Sequence, residues 1–302
     1  MRHSTKYKPM RKTKIILTVI SLIIFIVDSK SQNNTVFPDS LWLKHDTIEK
    51  IGYDSKKIKE INRFIIDSLN TTGLMVIVDG EILFAYGDTE ELSYIASCRK
   101  SILSMMYGKY VDNKTIDLDK TLGDLGFDDI QGLLPIEKKA TIRHILTARS
   151  GVYHPASNDG SDNKNGPERG SVEPGTYFLY NNWDFNAAGA IFEKLTEQNI
   201  YDAFDRDIAI PLQMQDFERD KQEKSGKPEQ SKYLAYHFWF STRDMARIRL
   251  LMLNNGNWNG EQIIPKDWVK LTTSVITPID EMNPSWHREG NYAYGYMWWI
   301  WK

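Results

Sequence analysis

A serine and a lysine three positions apart stand at the head of an apolar run: Ser97 and Lys100 in "YIASCRKSILSMMYGKYV", residues 94–111. Read as a helix, the stretch carries Ile102, Leu103, Met105, Met106, Tyr107, Tyr110 and Val111, so it is expected to be largely buried. Residues i and i+3 share one helix face, which brings the lysine amine to the serine hydroxyl. A serine hydroxyl is a poor nucleophile until another group takes its proton. An amine in apolar surroundings is pushed towards its neutral form, because burial disfavours charge, and a neutral amine is a base. Unpaired amides at the helix start would suit a developing oxyanion. The chemistry on offer is attack on a carbonyl. The competing reading is a capping serine beside a lysine whose head reaches water.

The spacing alone is a weak signal, since Ser-x-x-Lys recurs at Ser161/Lys164. That copy lies in "HPASNDGSDNKNGPERGSVEPG", residues 154–175, with no apolar helix to dehydrate its amine. A polar loop this long is expected to be functional or mobile. "SDN" (161–163) in this loop and "KSG" (224–226) in the charged stretch 219–232 spell motifs of serine acyl-transfer enzymes. Neither has the required helix or strand behind it, so both are rejected.

The flanks of the first copy carry more. "NKTIDLDKTL" (113–122) and "ATIRHILTARSGVY" (140–153) follow it. Then come "EPGTYFLYNNWDFNAAGAIFEKLT" (173–196), with Tyr180 and Asn182, "IAIPLQMQDF" (208–217), "STRDMARIRLLMLNNGNWNGEQIIPKDWV" (241–269) and "YGYMWWIW" (294–301). This ordered series, over about residues 50–301, resembles the serine beta-lactamase and penicillin-binding-protein family, in its class C and related esterase or D-alanyl-peptidase branch. The resemblance implies an α/β (α+β) fold with an antiparallel sheet flanked by helices, built from residues 32–90 and 254–302. A mostly helical insertion, 91–253, would carry the nucleophile. It further implies that Ser97 is acylated, that Tyr180 works with Lys100 in moving protons, and that Asn182 contacts a substrate amide. Beta-lactams, D-amino-acid peptides and esters are the implied substrates, small-molecule or peptidoglycan-like. A Lys-Ser/Thr-Gly strand is expected after residues 294–301, and the sequence holds one residue more; on the resemblance this is a C-terminally incomplete member. A non-catalytic ligand binder and an inactive remnant are the alternatives.

The elements that must position these residues are legible in part. "DSKKIKEINRFIIDSL" (54–69) sets Ile58, Ile61, Phe64, Ile65 and Leu69 on one stripe behind a capping Asp54. "GLMVIVDGEILFAYG" reads as a hairpin about Asp79-Gly80. "YAYGYMWWIWK" reads as one strand, apolar on both faces and hence covered on both. Cys98, the only cysteine, excludes an internal disulfide and reads as a small buried side chain.

Composition narrows the function. Residues 1–31 carry seven Lys/Arg against Asp28, a charge of +6, so the whole chain's −2 leaves −8 over residues 32–302. An acidic remainder gives no reason to expect a nucleic-acid partner. The basic start, the thirteen-residue run "IILTVISLIIFIV" and Ser29/Ser31 read as an export signal cut after Ser31, with an uncleaved membrane anchor as the alternative. The expected location is periplasmic or secreted, with no stable membrane insertion after cleavage. The six histidines show no paired metal spacing, and no phosphate-cradling glycine loop is present. No metal or cofactor is expected, and His144 reads as a structural helix residue.

Overall fold

Asp54 starts the first α-helix of the structure, a computed structural model that describes residues 35–158, 160 and 163–302. Its carboxylate accepts from the Lys56 amide at 2.8 Å and caps α1 (Ser55–Ser68), as the sequence predicts. The predicted hairpin follows as β1 (Gly73–Val78) and β2 (Glu81–Gly87), antiparallel with Val78 opposite Glu81. Asp79 and Gly80 both have positive φ, 50° and 89°, the pair of conformations a two-residue turn of this hand needs. The stripe on α1 departs from expectation. Ile65 is buried, but Ile61, Phe64 and Leu69 are exposed among the described residues. The segment read as an export signal lies outside the described residues.

The remaining α-helices of the described residues are α2 (Cys98–Asp112), α3 (Ile142–Leu146), α4 (Asn182–Thr196), α5 (Ile200–Phe204), α6 (Thr242–Leu253) and α7 (Lys266–Thr272). The other strands are β3 (Ser93–Tyr94), β4 (Lys224–Ser225), β5 (Ala235–Tyr236), β6 (Trp239–Phe240), β7 (Asn257–Trp258), β8 (Glu261–Gln262), β9 (Tyr292–Tyr294) and β10 (Trp299–Trp301). Each ladder is a two-stranded antiparallel pair: β1–β2, β3–β6, β4–β5, β7–β8 and β9–β10. The class is the expected mixture of helices and antiparallel strands.

Helix α2 runs through the core. Its buried residues lie all round it, so it has no polar face to turn to solvent. Leu103 and Tyr107 are fully buried, and sequestering a side chain of that size contributes about 1.5–3 kcal/mol. Gly108 lets α7 come close, since a Cβ there would lie 2.5 Å from Trp268 Cδ1. The indole Nε1 donates to the Ser104 carbonyl at 2.8 Å, joining the two helices.

The C-terminal aromatic stretch is not one strand. It turns at 295–298, with Met297 at φ 61°, and returns as β10 against β9. Two serines of α2 hold this turn: Ser101 Oγ donates to the Met297 carbonyl at 2.8 Å and Ser104 Oγ to that of Tyr296 at 2.7 Å. Tyr294 is buried, while Tyr292, Trp299 and Trp301 are exposed. Alternating aromatics fit a strand or a hairpin equally, and the serines one turn along α2 decide between them. Lys224-Ser225-Gly226 also differs from its reading as loop. Lys224 and Ser225 pair with buried Ala235 and Tyr236. The Lys224 amine is taken by Glu193, so its rejection as an anion anchor stands.

Buried Asp129 fixes the entry to α4. Its carboxylate accepts from Trp183 Nε1 (2.7 Å), Ser231 Oγ (2.5 Å), and the amides of Ile130 (2.8 Å) and Lys232 (2.9 Å). Burial opposes its charge most, but these four donors together outweigh it and hold the carboxyl below its usual range. A depressed carboxyl contributes stability above its unfolded pKa and loses it as pH falls through the folded one. Asp129→Ala leaves four donors without their acceptor, and a cost of about 3–5 kcal/mol is expected. Urea unfolding near neutral pH measures it, and the gap between wild type and variant should narrow on acidification below the usual aspartate range.

Candidate active site

Ser97 occupies the N-cap position of α2 yet caps nothing: its side chain makes no capping bond, and it is exposed. The residue before it, Ala96, sits at φ 47°, a left-handed conformation uncommon outside glycine and asparagine that concentrates at functional sites. One turn on, Lys100 is 3% exposed. Its Nζ donates to Ser97 Oγ at 3.2 Å and to the Tyr180 hydroxyl. It also lies 4.2 Å from the Tyr180 ring centre and 4.4 Å from that of Phe185. The reading of Ser97 and Lys100 as a cap and a water-seeking stem is thereby overturned.

Electrostatics favours a neutral amine. Burial is the main cause holding the Lys100 pKa well below its usual value, and the neighbouring Arg99 charge adds to it. The Cys98 thiol acts weakly the other way. The positive end of the α2 dipole has the same sign as the effect of Arg99. No ion pair to a carboxylate involves Lys100 among the described residues.

Tyr180 arrives from a separate part of the chain. The peptide before α4 is tied down by Leu179 N donating to the Ala148 carbonyl (2.9 Å) and by Asn181 Nδ2 donating to the Val152 carbonyl (2.6 Å). Asn181 also caps α4, its Oδ1 accepting from the Trp183 amide at 2.9 Å. The Tyr180 ring lies among aromatics, with Phe185 at 4.8 Å and Trp299 at 5.4 Å between centres. Asn182, the fourth predicted residue, is buried in the first turn of α4, its Nδ2 beside Gly160. Ser97, Lys100 and Tyr180 are thus joined by hydrogen bonds, and Asn182 follows two residues on.

Several expectations change. The amides of Cys98, Arg99 and Lys100 donate to the carbonyls of Ile95 (3.0 Å), Ala96 (3.3 Å) and Ser97 (3.1 Å). A tight turn leads into α2 and consumes the donors expected for an oxyanion; the Ser97 amide donates to no carbonyl among the described residues. Cys98 is exposed rather than buried, because the first helical position faces outward with Ser97. His144 is structural as read: Thr141 Oγ1 accepts from its amide and its Nδ1 accepts from the Thr141 amide, a reciprocal cap of α3. Ser161 and Asp162 lie outside the described residues. Among the described residues no cluster of His, Cys, Asp and Glu is placed to hold a metal, and no helix is long and apolar enough to cross a membrane. The sequence reading missed Arg99, next to Lys100 in α2, and the two residues it touches, Asn186 and Tyr236. The signal available was an arginine beside Lys100 at the head of a helix whose next residues are largely apolar.

An exposed serine hydroxyl bonded to a buried lysine, itself bonded to a phenol, at the head of a core helix is the arrangement of the serine acyl-transfer proteins. The family model described as Beta-lactamase matches residues 65–301, and the chain belongs to that family. Solved structures agree on the fold. A Bacillus anthracis protein provisionally assigned as a 6-aminohexanoate-dimer hydrolase aligns at TM-score 0.59 and 18% identity, over 88% of this chain and 76% of its own. A penicillin-binding protein homologue from Caulobacter crescentus aligns at 0.58 and 14%, over 86% and 82%. A penicillin-binding protein from Bacillus halodurans aligns at 0.55 and 16%, over 82% and 83%. No curated protein matches the sequence. At these identities the likeness is one of fold.

Proposed function

We propose that the protein is a serine hydrolase that works through an acyl-enzyme on Ser97, cleaving an amide, lactam or ester. The observation that carries this reading is the single buried amine, Lys100 Nζ, bonded at once to Ser97 Oγ and Tyr180 OH. Neutral Lys100 takes the Ser97 proton as Oγ forms its bond to the substrate carbonyl carbon. The Ser97 amide is the donor nearest to hand for the oxyanion. When the tetrahedral centre collapses, the bond to the leaving nitrogen or oxygen breaks, and the proton passes to the leaving atom through Lys100 and Tyr180. Water, losing its proton to the same pair, then attacks the acyl-serine and restores the hydroxyl. Asn182 is assigned to hold a substrate amide. The substrate is a small molecule or a peptidoglycan-like peptide, and residues 1–31 would carry the enzyme to the periplasm or beyond.

A panel of p-nitrophenyl acetate, a chromogenic cephalosporin and a D-alanyl-D-alanine peptide tests this reading. At least one should give a burst of about one product per chain followed by steady turnover, the mark of acyl-enzyme accumulation. A folded chain that releases product from none of them overturns the proposal.

A further inference from the structure

Arg99 is 2% exposed, among the most buried charged side chains of the protein. Its Nη2 donates to Asn186 Oδ1 of α4 at 3.0 Å, and its guanidinium lies 4.3 Å above the centre of the Tyr236 ring of β5. Nη1 has no hydrogen-bond partner, and no carboxylate pairs with Arg99 among the described residues. The Tyr236 ring also lies close against α4. A Cβ at Gly189 of α4 would lie 2.6 Å from Tyr236 Cδ1, so glycine is what lets the ring seat there. A mid-helix glycine costs about 1 kcal/mol against alanine.

A charge buried without a counter-charge is expensive, and burial without one persists only where something depends on it. Two buried basic side chains, Arg99 and Lys100, are consecutive in α2. A guanidinium keeps its proton under all ordinary conditions, whereas an ammonium readily gives its up. Of the two, only Lys100 can relieve the repulsion.

We propose that Arg99 is a positioning residue that adds to burial in favouring the uncharged Lys100 amine, and so helps to set the pH at which Ser97 becomes reactive. This rests on the acyl-enzyme reading of Ser97. The other titratable groups around the pair leave Arg99 uncompensated. Tyr180 is a phenol bonded to Lys100 itself. Asp184 of α4 is pushed well up by burial, and its partner is the Ser150 hydroxyl rather than Arg99. Tyr294 of β9, Tyr236 of β5 and Tyr201 of α5 are all pushed up by burial and stay neutral. His237, beyond β5, is pushed down by burial and then by Arg99, and Cys98 is a thiol at the surface.

Two variants test it. Arg99→Met removes the charge but keeps much of the volume. Asn186→Asp keeps Arg99 and gives it a carboxylate at the position where Oδ1 already bonds, and it decides the matter if Arg99→Met does not fold. The pH midpoint of Ser97 acylation by p-nitrophenyl acetate should rise by about one pH unit in each, towards the ordinary lysine range, because the like charge has been removed or neutralised. The high-pH plateau should change far less. The 13C shift of Lys100 Cε, followed against pH in chains labelled with 13C-lysine, should show the same rise without any turnover. An unmoved Lys100 midpoint in the folded variants, with only a lowered plateau, overturns the proposal. Absence of acylation in wild type together with a shifted Lys100 titration would reject the acyl-enzyme reading and keep the electrostatic one.

Discussion

Lys100→Met abolishes acylation of Ser97 at neutral pH, with an expected loss of about four orders of magnitude in the single-turnover rate with an activated ester, the upper range for a general base. The amine is bonded to both the nucleophile and the second proton carrier, and it is the base on which the proposed step depends. Methionine preserves the length of the side chain and its contacts with the Phe185 and Tyr180 rings, and the core around Ile102 and Leu103 should survive. Thermal melting within a few degrees of wild type establishes that the fold is kept. Ser97→Ala should lose as much, and the double variant no more than either single one, because groups that act as a unit are not additive. Additive losses would mean that Lys100 assists something other than Ser97.

Tyr180→Phe is the second. The ring stays, with its neighbours Phe185 and Trp299, and only the hydroxyl bonded to Lys100 Nζ is lost. A relay that shares one proton between two groups slows by about two to three orders of magnitude when one is removed. Because Tyr180 also activates the deacylating water in the proposed cycle, burst and steady state should both fall. An unchanged burst would restrict Tyr180 to the water step. No change in either would return it to packing.

The site was legible in the sequence because its core is local. Three-residue spacing on a helix sets Ser97 against Lys100, whatever the rest of the chain does, and the apolar run after them announces a buried helix. Tyr180 was reachable only through the ordered likeness to a family, since nothing in residues 173–182 reveals that Ala148 and Val152 pull the peptide towards α2. Asp54 and Asp79-Gly80 could be read for the same reason as Ser97 and Lys100: their partners lie within a few residues. What the sequence concealed depends on distant contacts. Ser101 and Ser104 of α2 turn residues 292–301 into a hairpin from almost 200 positions away. Arg99 would be placed outside by its charge, and only Asn186, Gly189 and Tyr236 together give it a buried seat. Asp129 gathers Trp183, Ser231 and Lys232 across 54 to 103 positions. The uncovered stripe of α1 shows the limit of periodicity, which reports that a face is apolar and not what lies against it.

The claim that most depends on this geometry is that Ser97 carries the acyl group. Intact-protein mass spectrometry after exposure to a fluorophosphonate probe, with peptide mapping of the adduct, measures it directly. One adduct per chain on Ser97 is expected, forming faster as pH rises through the depressed Lys100 titration, and absent in Ser97→Ala. A folded wild-type chain that takes no adduct, or takes it on another residue such as Cys98 or Ser225, contradicts the account.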